Sequence, residues 1–123
     1  MGYDTARGRK TWDRQIRRVG GRVGAIRRDG TDILIMCAVS QYSPREARGA
    51  LIEPTDQRMV ISTFKPNGTD LSTVPDKETD QLVLYRVPLT SPPVDEIVLN
   101  MVQAPTLHAP HGVLMVIECQ VRK

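Results

Sequence analysis

The sequence predicts a mainly β fold, a small antiparallel β-barrel or sandwich of about six strands with one short N-terminal helix and a long polar loop. Residues 33–39 form an unbroken apolar run rich in Ile and Val, which favours a strand buried on both faces. Five further short apolar segments surround this run in the sequence, several of them alternating. The chain also has nine Pro and nine Gly, a punctuation that suits many short strands better than long helices.

A single domain is expected from a length of 123 residues, of which 40% are hydrophobic. We divide the chain into a flexible basic arm at residues 1–10 and one barrel domain at residues 11–123. No segment predicts a signal peptide or a membrane span. Cys37 and Cys119 fall in predicted strands, where buried and reduced thiols are expected.

A short helix is predicted after Thr11. Trp12, Ile16 and Val19 are spaced i, i+4 and i+7, so they share one helical face. The glycines at 20–21 end the pattern. Because a helix of about eight residues is marginal alone in water, its apolar stripe must pack on the barrel or on a neighbouring subunit.

The central strand is predicted at residues 32–42, the segment that contains the apolar run. Residues 22–28 predict the strand before it, and the Asp29-Gly30 turn between them is the strongest hairpin signal in the chain. We expect the following residues of the central strand to be buried: Ile33, Leu34, Ile35 and Val39.

Local patterns also predict the elements that follow. Ser43, Pro44 and Glu46 match a capping box, which predicts one helical turn or a tight loop. Further strands are predicted at residues 57–62, 81–87, 94–104 and 112–122.

Residues 63–79 form a long polar loop, and loops of this length in a compact domain are usually functional or disordered. We expect its middle to be free and its carboxylates to be solvated. Its charged residues, with one at its base, are Lys65, Asp70, Asp76, Lys77, Glu78 and Asp80.

The residues contain no catalytic constellation, and we expect a protein that is not an enzyme and uses no cofactor or metal. Cys37 and Cys119 lie in apolar runs, where a thiol stays protonated and inert. His108 and His111 offer two ligands where zinc needs three or four, so two loop histidines are the favoured interpretation.

Positive charge is concentrated at the N-terminal end. Residues 1–28 carry nine Arg or Lys and two Asp, a net +7, whereas residues 29–123 carry eight basic and twelve acidic residues, a net −4. Clustered Arg is typical of nucleic-acid binding, and it also suits protein interfaces through carboxylate pairing. We expect a partner interface on the arm and helix, formed by Arg7, Arg9, Lys10, Trp12, Arg14, Arg17 and Arg18.

Several short motifs follow one another in a characteristic order. Residues 11–30 combine an amphipathic turn bearing Ile-Arg-Arg with a Gly and a strand that ends in a basic pair. Residues 33–62 lead through Tyr-x-Pro-x-Glu and a Gly to Arg-x-Val-Ile-Ser. Pro-x-x-x-x-Asp-x-x-Val follows at 75–83, and Glu-x-Gln-Val-Arg at 118–122. This order resembles the head–tail connector, or head-closure (stopper), neck proteins of long-tailed bacteriophages. That family often has a tight Asp-Gly hairpin where this chain has residues 87–93.

The resemblance implies a structural protein of the virion, assembled in the host cytoplasm. Family members are small β-barrels that form rings, often of six copies, with twelve as the alternative. Such a ring would lie between portal or adaptor proteins above and a tail protein below. Duplex DNA would pass through it without sequence-specific binding, and loop 63–79 would line the channel or contact the next ring. An acidic lumen suits this role, because phosphate contacts would slow sliding DNA. The basic arm would suit an acidic rim on a protein partner.

Two other functions stay open. The first is a monomeric nucleic-acid-binding barrel of the OB or SH3-like kind, which would use the basic arm. The second is a tail terminator or a tail completion protein. Salt-sensitive binding to free duplex DNA would favour the nucleic-acid barrel, whereas formation of a ring with partner proteins would favour the neck component.

Overall fold

The computed structural model describes residues 5–48, 52–87 and 94–123, and among these residues six strands close an antiparallel barrel while a seventh pairs beside it. The predicted small antiparallel β-barrel is confirmed. The elements are α1 (Thr5–Arg18), β1 (Arg22–Arg28), β2 (Thr31–Gln41), α2 (Pro44–Arg48), β3 (Gln57–Ser62), β4 (Asp80–Val87), β5 (Val94–Met101), β6 (Thr106–His108), a 3-10 turn (Pro110–Gly112) and β7 (Val116–Arg122).

The strand order around the barrel is β1-β2-β3-β7-β5-β4, and every pairing is antiparallel. The ladder between β5 and β7 is short, with Asn100 opposite Arg122 and Met101 opposite Val121. Beyond it the chain bends through residues 102–105, and β6 then pairs with the first half of β7. β5 and β6 therefore act as one interrupted strand along β7.

The barrel interior is filled by alternate residues of all six strands, as expected when one face of each strand points inward. This core contains Ile26, Ile35, Cys37, Met59, Ile61, Leu82, Leu84, Leu99, Met101, Ile117, Cys119 and Val121. Both cysteines are reduced and buried, as the sequence predicts, and burial raises the pKa of each thiol to about 12.

Local turn and cap signals are confirmed at two places. Asp29 and Gly30 both adopt positive φ, 51° and 76°, which is the geometry of a type I′ hairpin turn. At α2 the backbone N–H of Ser43 donates to Glu46 Oε1 at 3.1 Å, and the N–H of Glu46 donates to Ser43 Oγ at 3.2 Å. These two bonds are the reciprocal pair of a capping box.

The expectation of a central strand buried on both faces is wrong. In a closed barrel every strand has two neighbours, and β2 lies between β1 and β3 like any other. Ile35 is fully buried, but Leu34 is 43% exposed, and Ile33 and Val39 are only partly buried. The apolar run is covered on its outer face at Met36, which packs beneath α1.

Several predicted boundaries also differ from the structure. The helix begins at Thr5, not after Thr11, so residues 5–10 of the predicted arm are helical. The strand predicted at 94–104 ends at Met101, and the one predicted at 112–122 begins at Val116. β6 lies between the strands predicted at 94–104 and 112–122, where no strand was predicted. Residues 1–4 of the arm and residues 88–93 lie outside the described residues.

Candidate functional site: the outer surface of helix α1

Helix α1 is attached to the barrel by one buried apolar residue. Ile16 is 3% exposed and packs in a cluster with Met36 of β2 and Val116 of β7. The other two members of the predicted apolar stripe are not buried, since Trp12 is 45% and Val19 is 59% exposed. The helix therefore has weak apolar attachment and needs polar contacts to hold its position.

Arg9 supplies one set of these polar contacts. Its Nε donates to Thr63 Oγ1 at 3.1 Å, and its Nη2 donates to Asp70 Oδ1 at 2.8 Å. The guanidinium also lies 4.5 Å from the centre of the Phe64 ring, within range of a cation–π interaction. Arg9, predicted to face a partner, thus contacts the protein's own loop.

Asp13 and Arg17 supply the second set. Ser62 Oγ donates to Asp13 Oδ1 at 2.6 Å, and Arg17 Nε donates to Asp13 Oδ2 at 3.0 Å. Arg17 also donates to the backbone carbonyl of Lys65 at 3.0 Å. The predicted interface residues thus divide into an inner group that fastens α1 and an outer group that faces solvent.

The outer group contains a row of cations that we call the basic stripe, formed by Lys10, Arg14 and Arg18. A spacing of four residues places them on one face of the helix, over about 12 Å. All three are exposed, and within the described ranges none has an ion pair. Arg7 is also exposed and lies one turn before this row.

Beside the helix lies an apolar depression of about 580 Å³, here called the Trp12 cleft. Trp12 and Leu107 form its exposed sides, with 45% and 48% of their surface accessible. Met115 and Val116 are buried beneath it. At its edge Glu118 lies 3.3 Å from His108. No local sequence pattern predicts this cleft, because β6 and β7 reach α1 only through the tertiary fold.

The long loop is not free in its middle, contrary to expectation. Its first half is a small hairpin, in which the Lys65 N–H donates to the Thr69 carbonyl at 2.7 Å and Phe64 bridges to Asp70. In its second half Val74 packs against the barrel core, and its carbonyl accepts a bond from Arg28 at 3.0 Å. The loop is therefore fastened at several points along its length.

The acidic residues of this loop also differ from one another. Asp80 is 5% exposed and forms two hydrogen bonds with Arg28, so the expectation that it is solvated is wrong. The hydrogen bonds from Arg28 lower the pKa of the Asp80 carboxyl. Asp76 and Glu78 are exposed, and Lys77 lies 3.9 Å from Glu78.

A polar network on the first hairpin, formed by β1 and β2, was not predicted from the sequence. Arg27 donates to Asp32 at 2.7 and 2.9 Å and to Glu96 at 2.8 Å, which ties β1 to β2 and β5. Tyr85 also donates to Asp32. Hydrogen bonds from Arg27 lower the pKa of both carboxyls, and burial together with its bond to Asp32 raises the pKa of Tyr85 to about 12.

A second polar network joins the turn before β3 to the C-terminal half of β7. Asp56 is 1% exposed and accepts bonds from Arg122 at 2.6 and 3.0 Å and from Gln120 at 2.7 Å. The bonds from Arg122 hold the pKa of this carboxyl well below its usual range. In sequence Asp56 is one polar residue in a turn, and nothing local marks it as buried.

In the part of the chain that the structure describes, no group of three His, Cys, Asp or Glu residues is placed to hold a metal ion. The same part contains no helix with the length and apolar character needed to cross a membrane.

Comparisons with known proteins identify no relative of this chain. No family model matches the chain, and neither curated proteins nor solved structures give a match. The surface of α1 and the order of the sequence motifs are therefore the observations that bear on function.

Proposed function

We propose that the protein is a structural component of a bacteriophage neck. In this role it forms a ring that joins the DNA-filled head to the tail and helps to retain and pass DNA. The order of the motifs over residues 11–122 supports this function, and the barrel has the fold class that the resemblance implies.

The observation that carries the proposal is the division of α1 into two sides. Arg9, Asp13 and Arg17 fasten the helix to its own barrel, while the basic stripe and Trp12 remain outside. An exposed Trp and a row of unpaired cations, on two different faces of the same helix, are each typical of surfaces that bind other macromolecules. A protein that joins two assemblies needs such a surface.

A ring also needs a second surface that differs from the first, because head-to-tail contacts join unlike patches. Leu34 is 43% exposed and lies beside a depression of about 590 Å³ that Ile33 and Pro66 also line. This patch shares no residue with the Trp12 cleft. It is our candidate for a contact between neighbouring copies in the ring.

Fewer carboxylates of the long loop than predicted are available for the proposed channel role. Asp80 is buried, and Asp70 is exposed but pairs with Arg9, which leaves Asp76 and Glu78 as the exposed loop carboxylates without an arginine partner. In a symmetric ring each such charge is repeated in every copy. A ring of carboxylates would repel phosphate and let DNA slide.

The nucleic-acid-binding barrel is the second candidate, and the basic stripe is the observation that favours it. The same three cations would neutralise phosphates, and binding would then weaken steeply as salt rises. A shift assay with duplex DNA at several salt concentrations separates the two functions. The neck protein is expected to bind free duplex DNA weakly and only at low salt.

The proposal is tested by removing the gene from the phage that encodes it and supplying variants in trans. Loss of the protein should give packaged heads that lack tails and leak DNA. Full-length tails on stable heads would contradict the neck function, and tails of abnormal length would indicate a tail terminator.

The proposed channel role of the long loop is tested with a separate variant. Glu78→Lys should assemble normally and alter DNA release, because Glu78 is exposed and its side chain has 83% of its surface accessible. Glu53→Lys reverses an exposed carboxylate outside the loop, with 61% of its side chain accessible, and serves as the matched control. Equal release from both variants would remove the loop from the channel.

A further inference from the structure

We propose that the Trp12 cleft of one copy binds the exposed apolar patch around Leu34 of the next copy, so that successive copies join head to tail. The Leu34 patch is formed by Ile33, Leu34, Lys65 and Pro66. The inference rests on the proposed function for the expectation of a ring. It deepens that function by naming the two surfaces that meet and the side chains that hold them together.

The two surfaces account for most of the large apolar side chains that the described residues expose. Trp12 and Leu107 stand nearly half exposed at the sides of the cleft, and Leu34 is exposed to a similar degree at its patch. Among the described residues only Val19 is a further exposed large apolar side chain, and it lines neither depression. A contact between the two patches would cover all three side chains in every copy, because each copy uses both patches.

The two surfaces also lie on opposite flanks of α1. Arg17 donates to the backbone carbonyls of Lys65 and Pro66 at 3.0 and 3.4 Å, so the Leu34 patch lies on the flank of the helix that carries Arg17. Trp12 is five residues earlier, which places it about 140° away around the helix. Unlike patches on opposite flanks of one element are the arrangement that a head-to-tail contact requires.

The Leu34 patch carries a positive charge that is not compensated within the copy. Lys65 lines the patch, and none of the described residues forms an ion pair with it. Asp32 lines the same depression, but it already accepts hydrogen bonds from Arg27 and Tyr85. The unbalanced charge of this patch is therefore that of Lys65.

The Trp12 cleft carries the complementary charge. Glu118 lines it, and of the described residues no lysine or arginine does so. The Glu118 side chain is 35% exposed, and its contacts with His108 and Arg58, at 3.3 and 3.6 Å, leave room for another cation. Lys65 of one copy would meet this carboxylate at the edge of the next copy's cleft, which fixes the orientation of the apolar contact.

Two other occupants of the cleft leave part of this surface unused. Two clefts that bind each other would end at a dimer, leave Leu34 exposed and bring two copies of Glu118 to one contact. An unrelated protein in the cleft would also leave the Leu34 patch uncovered. A head-to-tail contact uses both patches and pairs opposite charges, and for this reason we favour it.

The test follows self-association of the full chain through Trp12, which is the only tryptophan and lies in the cleft. As the protein concentration rises to about 1 mM, Trp12 emission should shift to shorter wavelength, and sedimentation velocity should show larger species over the same range. Leu34→Asp should raise the concentration needed for both changes by at least about tenfold, although Leu34 lies outside the cleft. A contact between two clefts would not respond to this variant.

A second variant blocks the other surface. Leu107→Asp should weaken association as much as Leu34→Asp, whereas Val19→Asp, which adds the same charge at an exposed apolar residue outside both patches, should associate like the unchanged protein. Leu34→Asp keeps an intact cleft and Leu107→Asp keeps an intact Leu34 patch. A one-to-one mixture of the two variants should therefore form a dimer and nothing larger.

A charge variant covers the case in which an aspartate at either apolar position unfolds the chain, which circular dichroism detects. Lys65→Glu should weaken association by about tenfold, because it places a carboxylate against Glu118. Arg45→Glu makes the same charge change at an exposed arginine of α2 and should associate like the unchanged protein.

Four results would overturn the inference: a chain that stays monomeric over the whole concentration range, unchanged association of Leu34→Asp, equal losses in the Val19 or Arg45 controls, and a variant mixture that does not form a dimer. The neck function is tested separately. Head-to-tail association of a chain that is absent from virions would leave the inference standing and remove the neck function. A neck protein whose copies associate without Leu34 and Leu107 would do the reverse.

Discussion

Arg28 and Asp80 form a bidentate ion pair that joins the first hairpin to the end of the long loop. Nε and Nη2 of Arg28 donate to the two carboxylate oxygens of Asp80 at 2.9 and 2.7 Å. Asp80 also accepts the backbone N–H of Asp76 at 2.8 Å, and its side chain has no exposed surface. The Asp80 carboxylate thus holds both the end of β1 and the turn that precedes β4.

Asp80→Asn should lower the free energy of unfolding by about 1–3 kcal/mol, because it leaves buried donors without a charged acceptor. Arg28 keeps 32% of its side-chain surface in water, which limits the loss. Urea denaturation measures the change. Glu78→Gln, an exposed change in the same loop, should stay within about 0.5 kcal/mol. A loss for Asp80→Asn as small as that of the control would show that the pair does not hold the loop.

Acid should destabilise the protein. The carboxyl groups whose pKa is lowered in the folded state are Asp32, Asp56, Asp80 and Glu96. Their stabilising contribution is present above the unfolded pKa, near 4, and is lost as pH falls through the lower folded values. The urea concentration at the unfolding midpoint, measured between pH 7 and pH 2, should decrease once the pH is below about 4. Asp80→Asn should show a shallower fall, and a flat profile would contradict these ion pairs.

Ile35→Ala and Leu34→Ala compare neighbours on opposite faces of β2. Ile35 is fully buried in the barrel, so its truncation should cost about 2–5 kcal/mol of unfolding free energy. Leu34 is 43% exposed, and its truncation should cost less than about 1 kcal/mol. Equal losses at the two positions would mean that the outer face of β2 is covered as well.

Cys37 and Cys119 should resist alkylation in the native protein. Both are essentially buried, and a pKa of about 12 leaves almost no thiolate at pH 8. Mass spectrometry after treatment with iodoacetamide should show no label without denaturant and two labels with it. Rapid labelling of the folded chain would indicate that the barrel opens readily.

Elements with a complete local signal could be predicted from the sequence. The strands at residues 22–28 and 57–62 are observed with the predicted bounds, and the Asp29-Gly30 turn and the Ser43–Glu46 cap form as expected. In each case the determining interactions lie within a few residues, in turn chemistry, capping or alternation.

Features that depend on distant partners could not be predicted. The first turns of α1 have no large apolar residue to mark a helix, and Arg9 is held by Thr63 and Asp70, more than fifty positions away. β6 has three residues and forms because β7 offers it an edge. Asp56 and Asp80 look like loop carboxylates until the fold brings Arg122 and Arg28 to them.

The same limit applies to the candidate site. The sequence located the cations of α1 but not the side that each would occupy, because that depends on where the hairpin at residues 63–71 folds back. The Trp12 cleft required three elements to meet: α1, β6 and β7.

The most direct test of the neck function is immunogold labelling of purified tailed virions with an antibody against this chain, combined with quantitative mass spectrometry of its copy number. A neck ring should give label at the head–tail junction and a fixed number of copies per particle, about six or twelve, as expected for a closed symmetric ring. Absence of the chain from purified virions, or label distributed along the tail, would contradict it.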